Sequence, residues 1–189
     1  CILPSLFVQP KSDSYDGESI DWMPGMELHS NTPVLLPAEF VIFPPHVETY
    51  KPAITTGLAL GNSLESAQLS GIYEVIERDA TMLSWYSTFS PTELVVDDPS
   101  FKILSRRARS EGLTSSALLI TQDIEIPVVT AAVYRDSEWP KFAVGSCANI
   151  DPNIAAVSAL SEALQNWMEL RSMGMDSANK ESSFIGKYS

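Results

Sequence analysis

Two stretches of this sequence place carboxylates at a spacing that could hold a cation. Glu74 and Glu77 lie three residues apart, and Glu162 and Gln165 repeat the spacing at an offset of 88 residues. The offset also brings Ser70 onto Ser158, Gly57 onto Gly145 and Ala67 onto Ala155. Apolar positions follow, with Leu69 on Val157, Ile72 on Leu160 and Ile76 on Leu164. Both copies read as a strand, a small-residue loop and a helix carrying Ser-x-x-x-Glu-x-x-Glu/Gln, so two related units within one fold are expected. At about 100° per residue, Ser70, Glu74 and Glu77 fall within roughly 60° of one another and form one polar stripe. Ser158, Glu162 and Gln165 do the same, and Glu169 extends that stripe. The remaining circumference is largely apolar, which predicts two largely buried helices.

Buried carboxylates are costly unless they are paired or bound to a cation. The first helix offers one cation, Arg78, and the second offers none before Arg171. Hard oxygen donors in this number suit Mg²⁺, which keeps some of its waters and bridges carboxylates to phosphates. The plain alternative is that each stripe faces solvent.

The elements that must position these residues are legible along the chain. A hairpin is expected from strands near 20–29 and 34–43, joined at "SNTP". Residues 52–61 read as a short strand or loop punctuated by Gly57 and Gly61. A long helix should run from about Ser63, its N-cap, to Tyr86. A connection with a brief β-like piece leads to Asp98 and Pro99, which start a helix ending near Glu111 and Gly112. The basic "SRRARS" on that helix reads as a solvated face. Three strands follow in "TSSALLITQD", "IPVVTAAVYRD" and "WPKFAVGSCAN". Asp151 and Pro152 open the last helix, expected to reach about Met173, before a polar, loose tail. The fold class is therefore α+β: mixed, mostly antiparallel sheets with two long buried helices in an internal repeat. The chain reads as one domain over 1–189, with repeats at about 52–90 and 140–175.

Composition narrows the function. The 189 residues carry a net charge of −12, which opposes both nucleic acid and an anionic membrane surface. No apolar run approaches the roughly 20 residues needed to span a bilayer. "CILPSLFVQP" lacks the basic start of a signal peptide, and the opening Cys in place of Met fits a piece of a longer protein. Cys1 and Cys147 give neither a disulfide framework nor metal-ligand spacing, so a reduced, cytoplasmic setting is expected. His29 and His46 lack partners at ligand spacing. An uncovered strand edge would invite homodimerisation through sheet pairing.

"TTGLALGNSLESAQLSGIYEVIERDA" closely resembles the central motif of the YcaO family, a Gly-rich stretch leading into a helix that ends Glu-x-x-Glu-Arg-Asp. "DPNIAAVSALSEALQNW" resembles the family's second motif, and "IDWMPGMELHSNTPVLLPAEFVIFPP" is similar to a strand pair of members acting on peptides. The resemblance covers about residues 15–172. It implies a site for ATP and Mg²⁺ unlike a P-loop, and no Gly-x-x-x-x-Gly-Lys-Ser/Thr occurs here. It further implies ATP-dependent activation of a peptide amide oxygen. A Cys, Ser or Thr side chain then attacks to give an azoline, or sulfide attacks to give a thioamide, in the biosynthesis of ribosomal, bacteriocin-like peptides. The partners so implied are a precursor peptide and a protein that delivers its leader. By position, Glu74, Glu77 and Glu162 would be Mg²⁺ ligands. Ser70 would contact the nucleotide, Gln165 would lie close to the metal or phosphates, and Arg78 would offset phosphate charge or pair with a glutamate, all three counted as nucleotide-binding. No covalent enzyme nucleophile is required. The chain departs from the family in carrying Trp167 where a basic residue is common, in lacking a Pro-rich carboxy terminus, and in being shorter than the family domain at both ends.

Two other functions compete. A non-catalytic docking scaffold of a peptide-modification complex would keep the fold and lose a carboxylate, and none of the three glutamates is lost. A metal phosphohydrolase would need a water-activating base, and no His or Lys is placed for one.

Overall fold

The computed structural model describes residues 21–43, 55–87, 90–136 and 138–179. His46, Cys1, the start of the 52–61 segment and the end of the tail lie outside them. The chain divides into two compact units, residues 1–58 and 59–189.

In the first unit β1 (Trp22–Glu27) pairs antiparallel with β2 (Thr32–Pro37), with Glu27 opposite Thr32. The reversal falls two residues earlier than "SNTP" implies. The Glu27 carboxylate accepts from the His29 and Ser30 amides at 2.9 and 2.6 Å and closes the turn. Asn31 takes the left-handed conformation, φ 54°, which Asn tolerates better than most residues. β2 ends at Pro37, short of the expected 43. The chain turns there into a 3₁₀ segment, Ala38–Phe40, while the Ala38 amide bonds back to Asp21.

The second unit is built on an antiparallel sheet ordered β3 (Thr92–Glu93), β4 (Thr114–Leu119), β5 (Val128–Tyr134) and β6 (Phe142–Ala148). Alternation along the strands gives the sheet two apolar faces. Val129, Ala131 and Val133 join Ala117 and Ala143 beneath α2 (Pro99–Ser110) and α3 (Pro152–Asn179). Val128, Ile120 and Ala148 face the other way and meet Ala80, Tyr73 and Ile76 of α1 (Leu64–Tyr86). Helices thus cover both faces, and the expected α+β class with antiparallel sheets holds.

The caps fall where the sequence places them. The Ser63 hydroxyl accepts from the Ser66 amide, and the Ser66 hydroxyl in turn accepts from the Ser63 amide. The Asp98 carboxylate accepts from the Ser100 and Phe101 amides, with Pro99 at the first helical position. Gly112, at φ 76°, follows the end of α2.

Three expectations need correction. The helix α1 is far less buried than its apolar circumference implies: only Gly71 and Ala80 are buried, while Leu69, Ile72, Val75, Met82 and Leu83 stay exposed. One sheet face can cover one stripe of a helix, and among the described residues no second layer covers the rest of α1. Helix α3 meets the expectation along its inner face, through Ala155, Ala159, Leu160, Ala163 and Trp167. It also runs on to Asn179 instead of stopping near Met173. Gly174 serves close packing rather than termination, since a Cβ there would lie 2.7 Å from the Trp139 ring. Finally, residues 55–63 are turn and coil, so the described part of the first copy's lead-in has no counterpart of β6. Among the described residues the likeness of the two copies resides in α1 and α3.

Candidate nucleotide and metal site

β6 ends the four-stranded sheet, and an end strand presents unpaired N–H and C=O groups. Three of those groups are met by side chains from the two helices. The Glu162 Oε2 of α3 accepts from the Ser146 amide at 2.8 Å. Asn166 Nδ2, one helical turn later, donates to the Val144 carbonyl at 2.8 Å. From α1, on the opposite sheet face, Glu77 accepts from the Ala148 amide. Carboxylates from both repeated helices therefore converge on the same strand edge, and that convergence is what the repeat builds.

Gly145 makes this possible. A Cβ at that position would stand 2.5 Å from both the Ala159 carbonyl oxygen and the Ala163 nitrogen, and 2.6 Å from Glu162 Cβ. Only a residue without a side chain lets α3 lie this close to the strand.

The electrostatic cost at the edge falls on Glu77, which is partly buried beside an exposed Glu162. Burial and then the Glu162 carboxylate, followed by Glu74, push the Glu77 pKa from 4.5 up to about 7, against the opposing pull of Arg78 and the Ala148 amide. Arg78 is engaged elsewhere, donating to Glu74 at 2.9 Å from a half-exposed position. Cys147 is partly buried within reach of both charges, and burial raises its thiol pKa. Ser158 opposes that rise through a hydrogen bond, and the charges of Glu77 and Glu162 add to it. A thiol held protonated is a poor nucleophile.

The sequence-derived site residues thus separate into two groups. Glu74, Glu77, Arg78 and Glu162 share one electrostatic neighbourhood. Ser70 spends its hydroxyl on the Ser66 carbonyl at 2.9 Å, and exposed Gln165 lines a groove of about 300 Å³ between α2 and α3 with Leu104, Arg107 and Arg171. Among the described residues no bond links either to the carboxylate pair. Sequence reasoning missed Asn166 and the roles of the Ser146 and Ala148 amides. The glycine inside a strand pattern was the available signal, since it marks close backbone approach.

Among the described residues no three His, Cys, Asp or Glu side chains are gathered into a metal cage. The donor set fits a cation that brings most of its own ligands. Each edge carboxylate has about four acceptor sites and gives one to an amide, which leaves oxygens for a shared ion. Mg²⁺ held by one or two carboxylates, waters and phosphate oxygens meets this requirement; a fully caged metal does not.

Residues 3–185 match the family profile "YcaO cyclodehydratase, ATP- and Mg2+-binding", and the chain belongs to that family. The expected cofactors, ATP and Mg²⁺, are those of the family. Among solved structures, the chain is similar to YcaO from Methanopyrus kandleri bound with AMPPCP and Mg²⁺, at 29% identity and a TM-score of 0.73 over 86% of this chain and 44% of that one. A heterocyclase in complex with substrate and cofactor shows 27% identity and a TM-score of 0.75 over 82% of this chain and 22% of that one. An uncharacterized protein in the tfuA 3' region of Rhizobium leguminosarum bv. trifolii is 29% identical over 175 residues, 82% of this chain and 40% of that protein. The chain thus spans less than half the length of these relatives. No described helix is long and apolar enough to cross a membrane.

Proposed function

We propose that the full-length protein uses ATP and Mg²⁺ to activate a peptide backbone amide for azoline formation or a related modification in ribosomal peptide natural-product biosynthesis. The observation that carries this reading is the convergence of Glu77 and Glu162, from helices on opposite faces of the sheet, on the β6 edge. The family match over residues 3–185 supports reading both compact units as parts of one YcaO domain.

Glu77 and Glu162 would hold the cation, with Glu74 adding charge and Arg78 fixing Glu74. Bound Mg²⁺ supplies charge neutralisation for a phosphoryl group passing to an amide oxygen. The residues of this chain do the placing. The Ser146 amide orients Glu162, the Ala148 amide orients Glu77, and their mutual repulsion leaves the pair receptive to a cation. We place Ser70 and Gln165 at the nucleotide's periphery, in a longer protein that completes the site. Precursor peptide and a leader-binding protein are the proposed partners, in the cytoplasm. A homodimer is also proposed; side chains occupy part of the β6 edge, so sheet pairing there would compete with them.

The test is Glu77→Gln in the full-length protein. Nucleotide-dependent turnover should fall by about two orders of magnitude or more while the thermal unfolding transition is kept. Unchanged turnover would remove Glu77 from the site, and a wild-type protein without any turnover on candidate peptides would favour a docking scaffold.

A further inference from the structure

Asn166 has no part in the chemistry described so far, yet it is tied to the same strand edge as Glu162. Its amide donates to Val144 O while Glu162 accepts from Ser146 N, both at 2.8 Å. Four residues of α-helix rise about 6 Å, and two residues of antiparallel strand cover about 6.8 Å. The two bonds therefore match in spacing. They also run in opposite chain directions, so α3 lies antiparallel along β6, with Gly145 between the bonded strand residues at the point of closest approach. A helix tied to a strand edge at a single point can still rotate or slide about it. The buried face of Ala155, Ala159, Leu160, Ala163 and Trp167 seats α3 on the sheet, and the two bonds with the glycine contact fix its register against the β6 edge.

We infer that Asn166 is a positioning residue for Glu162. By holding Val144 it sets the register of α3 at which one Glu162 oxygen meets the Ser146 amide and the other is free for a cation. The cation half of this inference rests on the Mg²⁺–ATP reading; the amide half stands on the hydrogen bonds alone. Partners placed behind a metal ligand typically carry a tenfold or larger share of metal affinity.

The experiment uses the full-length protein with Asn166→Ala, Asn166→Asp and Asn166→Gln. Hydrogen exchange at the Ser146 amide and calorimetric titration of ATP with Mg²⁺ are read side by side. Asn166→Ala should speed Ser146 exchange about tenfold and weaken Mg²⁺-dependent ATP binding about tenfold. Asn166→Asp, equal in size but unable to donate when ionised, should do the same and serves if the alanine variant does not fold. Asn166→Gln keeps the donor and should recover part of both. Unchanged Ser146 exchange in folded Asn166→Asp would overturn the inference. So would faster exchange with unaltered Mg²⁺–ATP affinity. A wild-type protein that binds no Mg²⁺–ATP would contradict the nucleotide reading instead, and exchange at Ser146 would still decide what Asn166 does.

Discussion

Glu77 carries the strongest electrostatic tension among the described residues, and its sign is testable. Burial and the neighbouring Glu162 hold its pKa at about 7 in the folded protein, above its ordinary 4.5. The folded state therefore binds a proton that the unfolded chain releases between those values. By linkage, the metal-free protein loses stability as pH rises from about 4.5 to about 7. Glu77→Gln should flatten this segment of the stability curve and leave the variant more stable than wild type above pH 7. Denaturant unfolding across that range checks it; an unaltered slope would mean that Glu77 is not the titrating group. The same proton opposes a cation, so Mg²⁺ affinity should fall as pH drops below 7 and the fall should shrink in the variant. Legibility at this scale was partial. The periodicity of the sequence placed Glu74, Glu77 and Glu162 on related faces. It could not show that amides of a strand edge receive the carboxylates, because those donors are backbone and leave no residue-type signal.

At the scale of elements, close contact between α3 and the sheet organises the site. Gly145→Ala would push a methyl group against the α3 backbone, which cannot give way as a flexible side chain would. A loss of about 1–3 kcal/mol is expected by denaturant unfolding, together with faster exchange at Ser146. Full stability would mean that the helix has room to move. Trp167 anchors the other end of α3's buried face. It is 1% exposed, its Nε1–H donates to Pro140 O at 3.0 Å, and the Arg135 and Arg171 guanidinium groups lie 5.1 and 5.2 Å from its ring centre. Trp167→Ala should cost about 3–5 kcal/mol, read by the same unfolding experiment, and a loss below 1 kcal/mol would contradict its place in the core. Element types and caps were readable because capping residues such as Ser63, Asp98 and Gly112 act locally. Two features were not. Gly174 looks like a helix stop until Trp139 is seen against it, and the apolar side of α1 reads as buried whether or not anything covers it.

At the scale of the whole molecule, a chain of net charge −12 repels a nucleotide that is itself strongly anionic. Binding must then depend on a cation and on its carboxylate ligands together, which is a demanding combination to meet by accident. The two-unit division and the shorter span relative to its relatives place the measurement in the full-length protein. The repeat was visible in the sequence as spacing, and its purpose became visible only when β6 was found between the two helices. The most direct test is calorimetric titration of ATP with and without Mg²⁺, on wild type, Glu77→Gln and Glu162→Gln. Binding should require Mg²⁺ and weaken at least tenfold in each variant while both remain folded. ATP binding that is indifferent to Mg²⁺, or equally tight in the two variants, would contradict a cation held by Glu77 and Glu162.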